Sequence, residues 1–244
     1  IETTTGDDAF YLESNIAYGG NLAAFNASNS EQTGTGVMVS IAGKIGYQGV
    51  IDGNAGLDSV YLSDRSEAFF IHDAFSDFHD TQILTENEAG ILSTQRFKNI
   101  ENIFAGGGND IIDLTSPEYL IDMNGMHIFG ESGDDVIWGT NKDQYLSGGS
   151  GNDILFGGTG DDFLHGGTGA DVFEFVNDIT NGHDTISDFS VSDDRIKIYT
   201  SQNTDRLSMN DFTNNVLSLN GSSVTFDTSD QLIFATLAIE YYLL

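Results

Sequence analysis

The chain has 244 residues but no cysteine, a single proline (Pro117) and only 8 Lys+Arg. Missing thiols exclude a disulfide framework, a zinc-thiolate centre and a cysteine nucleophile, so any staple must use other groups. Against the few cations stand 38 Asp+Glu, a formal net charge of −30. That excess repels phosphate backbones and anionic lipid, which argues against nucleic acid or a membrane face as a partner. Divalent cations are the natural counter-ions. The longest apolar run, LIFATLAIEYYLL at 232–244, is interrupted by Glu240 and too short to span a bilayer, so membrane insertion is not expected. The five histidines form no HExxH, and neither a GxSxG elbow nor a GxxxxGK[ST] loop occurs. The expectation is a chain without catalytic machinery. Its start, IETTTGDDAF, is polar and acidic with no signal-peptide character, and reads as internal to a longer polypeptide. What is present argues for a folded protein: 39% hydrophobic residues, with 17 Phe, 9 Tyr and 29 Gly.

Residues 130–174 divide into five consecutive nonapeptides, GESGDDVIW, GTNKDQYLS, GGSGNDILF, GGTGDDFLH and GGTGADVFE. A sixth, AGGGNDIID at 105–113, stands upstream of a 16-residue interruption, and degenerate copies occur at 53–61 (GNAGLDSVY) and near TGDDAFYL. Glycines at positions one, two and four allow a sharp turn over the first six residues, and the last three form a short strand. Position eight is apolar in every copy: Ile112, Ile137, Leu146, Leu155, Leu164 and Phe173. Such a side chain points inward in a coil that stacks parallel strands, two nonapeptides to a coil. The fold class is therefore all-β, a parallel β-roll.

Turns on one side of such a roll are 18 residues apart, which places Asp135, Asp153 and Asp171 on one edge. Stacked carboxylates repel unless a cation sits between them, and hard oxygen ligands in a flexible cage select Ca²⁺. Several calcium ions are the inferred staple. Candidate ligands are those three aspartates, Asp162 opposite, Asp110 with its neighbour Asn109, Asp134, and Asp58 in the degenerate copy. Turn residues that complete the cages are Gly130, Ser132, Gly148, Ser150, Gly151, Gly157, Thr159, Gly160, Gly166 and Thr168. The second edge is imperfect, because Gln144 replaces Asp eighteen residues before Asp162 and Lys142 replaces Gly at position four. Lys142 is expected to occupy or abut the place where an ion would otherwise bind.

These units resemble the GGxGxDxUx repeat of the RTX (repeats-in-toxin) family, a resemblance that implies a β-roll folded by calcium over roughly residues 105–190. The following segment, FEFVNDITNGHDTISDFSVSDDRIKI, resembles the one that closes RTX rolls, and the resemblance makes Asp184 and Asp188 further calcium ligands. Residues 191–244 alternate apolar and polar (RIKIYT, VLSLN, SSVTFDT), which predicts a small antiparallel C-terminal cap. By the same resemblance the stretch ending at Leu244 serves a type I secretion system as its signal, and the alternative is simply the last buried element of the cap.

Residues 1–104 carry short β-like runs, such as GVMVSIAG and SVYLSD, and read as a β-rich module. The stretches GLDSVYLSDRSEAFFIHDAFSDF and RFKNIENIFAGGGNDIIDLTSPEYL resemble the region before the terminal repeats of large RTX adhesins, where a ligand-binding domain can sit. That resemblance implies a calcium-dependent, monomeric adhesion region on the bacterial cell surface, with a peptide or glycan of another cell as partner. An N-terminal cap without ligand is the alternative for this region. For the whole chain the alternatives are the secretion module of an extracellular lipase, protease or polysaccharide epimerase, or a purely structural export tail. Asp73, Asp77 and Asp80 with His72 and His79 form an acidic cluster that either binds a cation or is a solvated loop. Finally, Val136, Trp138, Ile154, Phe156 and Val172 fall at positions seven and nine and must face outward, too apolar to be left in water. Either the N-terminal module, the C-terminal segment or a partner is expected to use that surface.

Overall fold

The computed structural model describes residues 9–11, 51–52, 55–62, 64, 68–71, 81–83, 97–98, 100–114, 125–177, 182–200, 212–219, 221–227 and 238–243. Among them every regular element is a strand. Three-residue apolar triplets such as Val136–Trp138 and Ile154–Phe156 are too short to hold themselves extended, and they do so by pairing in parallel with the same triplet one coil away. Ile137 thereby faces Leu155, and Leu155 faces Phe173.

Two large sheets result. In the first, the strands run in space as Ala9–Tyr11, Ser59–Tyr61, Asn102–Phe104, Met126–Ser132, Gln144–Ser150, Phe163–Thr168, His183–Ile186 and Ser222–Phe226, all in parallel. Val216–Leu219 and Phe212–Thr213 then close this sheet in antiparallel fashion. The second sheet runs Ile239–Leu243, Arg195–Thr200, Val172–Val176, Ile154–Phe156, Val136–Trp138, Ile111–Asp113 and Ala68–Ile71 in parallel, with Thr81–Ile83 antiparallel at the far edge. Ile51–Asp52 and Phe97–Lys98 form a separate parallel pair.

The position-eight side chains meet between the sheets as the sequence requires. Ile103, Ile128, Leu146, Leu164 and Ile186 from one side, and Ile112, Ile137, Leu155, Phe173 and Ile196 from the other, belong to one buried core. Each such side chain contributes about 1.5–3 kcal/mol when fully buried. The same core continues through Val60 at one end and Val224 and Phe226 at the other.

Both sheets thus run on through residues 104 and 190, where the sequence suggested changes of module. Ser59–Tyr61 pairs with Asn102–Phe104, which pairs with Met126–Ser132, so the upstream residues add coils to the roll. At the other end, among the described residues, Phe212–Thr213, Val216–Leu219 and Ser222–Phe226 form the expected antiparallel meander. Arg195–Thr200 and Ile239–Leu243 are instead parallel strands of the roll. Alternation in RIKIYT is equally compatible with either pairing, which is why sequence could not separate them.

The outward residues of the second sheet are covered. Val136 is fully buried, Trp138 is 4% and Phe156 7% exposed, and Ile154 and Val172 are half-buried. None of the five belongs to the central core, so they bury a second surface behind the sheet. The free interaction face considered for them is thereby overturned: water is excluded from these rings within the chain itself. Because this shielding depends on the stacked register, Trp138 fluorescence should be blue-shifted and poorly quenched by acrylamide in calcium, and should redden in chelator. Strong acrylamide quenching in calcium would contradict the burial.

Candidate calcium sites along the turns

The turn of each repeat is shaped by two glycines in particular. At position one, a Cβ on Gly148 would lie 2.7 Å from the Asp153 Cβ, so this glycine leaves the space in which the position-six carboxylate of its own repeat folds back. Gly130, Gly157 and Gly166 stand in the same relation to Asp135, Asp162 and Asp171. At position four, Gly151 has φ +138° and lies against the Gly133 carbonyl of the coil below, where a side chain would be both strained and obstructed.

These turns stack the position-six residues into a column on each edge. On the first edge, Asp135 Oδ1 accepts the Asp110 N–H at 2.7 Å, Asp153 Oδ1 accepts the Asp135 N–H at 2.8 Å, and Asp171 Oδ1 accepts the Asp153 N–H at 2.9 Å. Asp194 Oδ1 then accepts the Asp171 N–H at 2.9 Å. Five successive coils therefore present a carboxylate here, although the sequence intervals are 25, 18, 18 and 23 residues. The second edge has Asp184 Oδ1 accepting the Asp162 N–H at 3.0 Å and Asp162 Oδ1 accepting the Gln144 N–H at 2.9 Å. Farther along it, Glu101 Oε2 accepts the Asp58 N–H at 2.7 Å.

One oxygen of each carboxylate is spent on this ladder, and the other decides the chemistry. Asp135, Asp153 and Asp162 each hold Oδ2 buried with no hydrogen-bond partner. A stranded ionised oxygen out of water is costly, so these atoms require a proton or a cation. Burial, reinforced by neighbouring carboxylates, pushes the Asp135 and Asp184 carboxyls up to about 8. The same causes raise Asp153 and Asp162 to about 7 and Asp171 to about 6. Asp194 is raised as well, again by burial first. Hard, anionic, buried and unsatisfied oxygens in register fit Ca²⁺, and the turn carbonyls fit the rest of its cage. Among the described residues no three His, Cys, Asp or Glu side chains converge on a common point. Backbone carbonyls must therefore complete each coordination sphere.

The other expected ligands divide by position. Ser132, Ser150 and Thr168 carbonyls accept the N–H groups of Gly108, Gly133 and Gly151 in neighbouring coils, and Thr159 donates its N–H to the Thr140 carbonyl. Position-five residues form their own ladder on the rim: Asn109 Oδ1 accepts the Asp134 N–H, and Asp134 Oδ1 accepts the Asn152 N–H. Asp143 and Asp161 do the same on the second edge. Asn109 and Asp134 are thus placed beside the buried column, in the hydrogen-bonded rim. Asp184 joins the column, whereas Asp188 bonds the N–H groups of Gly166 and Gly167 and lies 3.1 Å from His165 Nδ1. Sequence reasoning missed Asp194 and Glu101, whose signal is an acidic residue directly before a strand that follows an irregular interval. The cluster of Asp73, Asp77, Asp80, His72 and His79 lies outside the described residues.

Comparison with protein families agrees with this geometry. The RTX calcium-binding nonapeptide repeat matches residues 100–115, 127–141 and 138–173, in four copies. The segment from 100 to 173 thus carries RTX calcium-binding repeats. No curated protein matches the chain. Such repeats imply calcium binding at several sites, secretion and folding outside the cell.

Two consequences are measurable. The carboxyls raised above their unfolded value of 3.8 bind protons on folding, so without metal their ionisation opposes the folded state fully above about pH 8 and progressively less as pH falls toward 4. In excess chelator, circular dichroism should show little β-structure at pH 8 and a gain on acidification to pH 5. In saturating calcium the trend should reverse, because protons compete with the ion. Cooperative β-structure in chelator at pH 8 would contradict this. Second, Asp153→Ala strands the buried Asp135 N–H, a cost of about 1–3 kcal/mol, and also removes a ligand from the two sites that Asp153 shares with Asp135 and Asp171. Calcium titration should show a loss of bound ions with a lowered Tm.

Proposed function

We propose that this chain is the calcium-folded ligand-binding region of a secreted bacterial RTX adhesin, and that it has no catalytic activity of its own. The observation that supports this reading is a row of aromatic rings on the outer face of the first sheet. Tyr61, Phe104 and Phe129 stack at 4.7 Å between centroids, and Tyr145 and Phe163 continue the row at 5.5 Å. Phe129 and Tyr145 link the two halves at 5.7 Å. Unlike Trp138 behind the second sheet, these rings are half-buried, and Phe163 is 38% exposed. Stacked rings with exposed edges are rigid and amphipathic, the character of residues that anchor contacts to other molecules. The row crosses residue 104, so it exists only when the upstream strands and the repeats are assembled by calcium. A peptide or glycan on another cell is the partner this reading assigns, and the type I secretion machinery would read the end of the chain during export.

The second reading is the secretion and folding module of an extracellular enzyme, favoured by how much of the chain is roll. Peptide and glycan arrays probed with and without calcium distinguish the two. Adhesion predicts calcium-dependent retention that Tyr145→Ala and Phe163→Ala weaken about tenfold or more, with calcium-induced folding intact. Absence of retention in calcium would leave the export module as the better account.

A further inference from the structure

The second edge of the roll is interrupted at the repeat Gly139–Ser147. There the position-two and position-four residues are Thr140 and Lys142, and neither has a positive φ, although Gly133 before it and Gly149 and Gly151 after it do. The glycine rule for position two is not absolute, since Glu131 adopts φ +70° in the preceding repeat. The turn at 139–144 has therefore taken a different path, and its hydrogen bonds explain why.

Position six here is Gln144, and its Oε1 lies against Gly139 in the place that Asp Oδ2 takes against Gly130, Gly148, Gly157 and Gly166. In the aspartate turns at Asp135, Asp153 and Asp162 that oxygen is buried and unpartnered; in this one it accepts the Thr140 N–H at 2.8 Å. Gln144 Nε2 donates to Thr140 Oγ1 at 2.6 Å, and the Lys142 N–H donates to the same hydroxyl at 3.1 Å. A neutral amide whose oxygen already accepts the Thr140 N–H, with its NH₂ group turned into the turn, offers a cation no charge and a weaker ligand than a bare carboxylate oxygen. The coil before it aligns Met126 with Gln144, so the aligned position there supplies no side-chain oxygen either.

We propose that the turn 139–144 is a metal-free rung, closed by the Gln144 carboxamide in place of an ion. The two edges of the roll are consequently unequal. The Asp110–Asp194 edge is an unbroken ion column, while the opposite edge holds calcium between Asp162 and Asp184 and none at Gln144. The rung is closed by hydrogen bonds internal to the chain, so within the folded roll it takes no ion of its own.

Calcium stoichiometry of the full chain, read by titration calorimetry and native mass spectrometry, tests this with three variants. The combined change Thr140→Gly, Lys142→Gly and Gln144→Asp restores the glycine and aspartate pattern and should add at least one bound ion. Gln144→Ala should leave the ion count unchanged and lower the Tm in calcium, since the buried Thr140 N–H loses its acceptor and the Thr140 hydroxyl loses one of its donors. Asp153→Ala should lose ions; if it does not, the calcium reading of the repeats fails, separately from the rung. An ion lost from Gln144→Ala would show that the carboxamide ligates calcium. No gain in the folded triple variant would show that something other than these side chains breaks the column. Either result would overturn the proposal.

Discussion

Everything in this roll depends on the position-six carboxylate being used twice. One oxygen takes the N–H of the coil below and so sets the register of the stack, as Asp153 does for Asp135. The other is carried into the same dry turn with nothing to bond, as at Asp135, Asp153 and Asp162. Register and unmet charge therefore come from a single group, and a cation that satisfies the second oxygen also secures the first. Calcium binding and folding are one equilibrium here, because the cage has no existence in the unfolded chain.

The net charge of −30 acts in the same direction. Without counter-ions, self-repulsion expands the chain, and the buried carboxyls add a desolvation cost that only protons or cations remove. Extracellular calcium modules work at about 10⁻⁴ to 10⁻³ M, so such a chain can stay open where calcium is scarce and close where it is abundant. The apolar ladder between the sheets rewards closure, and the turns decide when closure happens.

The outer faces of the two sheets differ. Behind the second sheet Trp138 and Phe156 are buried, and beyond them Glu174 is held by Lys197 at 2.6 Å and by the Tyr199 hydroxyl at 3.1 Å. Lys197 also lies over the rings of Tyr199 and Tyr242, tying the strand Ile239–Leu243 to its neighbour. The outer face of the first sheet instead carries the stacked, half-exposed aromatic row. One face thus buries Trp138 and Phe156, and the other leaves its rings half-exposed.

The nine-residue period by itself determined the all-β roll, the inward row of Ile112, Ile137, Leu155 and Phe173, and the aspartate column at 135, 153 and 171, because identical units must pair in register to bury position eight. It also marked Gln144 and Lys142 as a break. Only the tertiary structure decided where the roll ends. Ser59–Tyr61, Arg195–Thr200 and Ile239–Leu243 are coils of it despite intervals that depart from eighteen residues, and Asp194 and Glu101 enter the carboxylate columns through those coils. Parallel pairing fixes which strands are neighbours without fixing how many residues connect them, so an irregular connection erases the period in sequence while leaving the stack intact. How the break is closed was likewise invisible in sequence. Short-range geometry gives the position of the carboxylate oxygen to the Gln144 amide, which reaches the Thr140 N–H and hydroxyl.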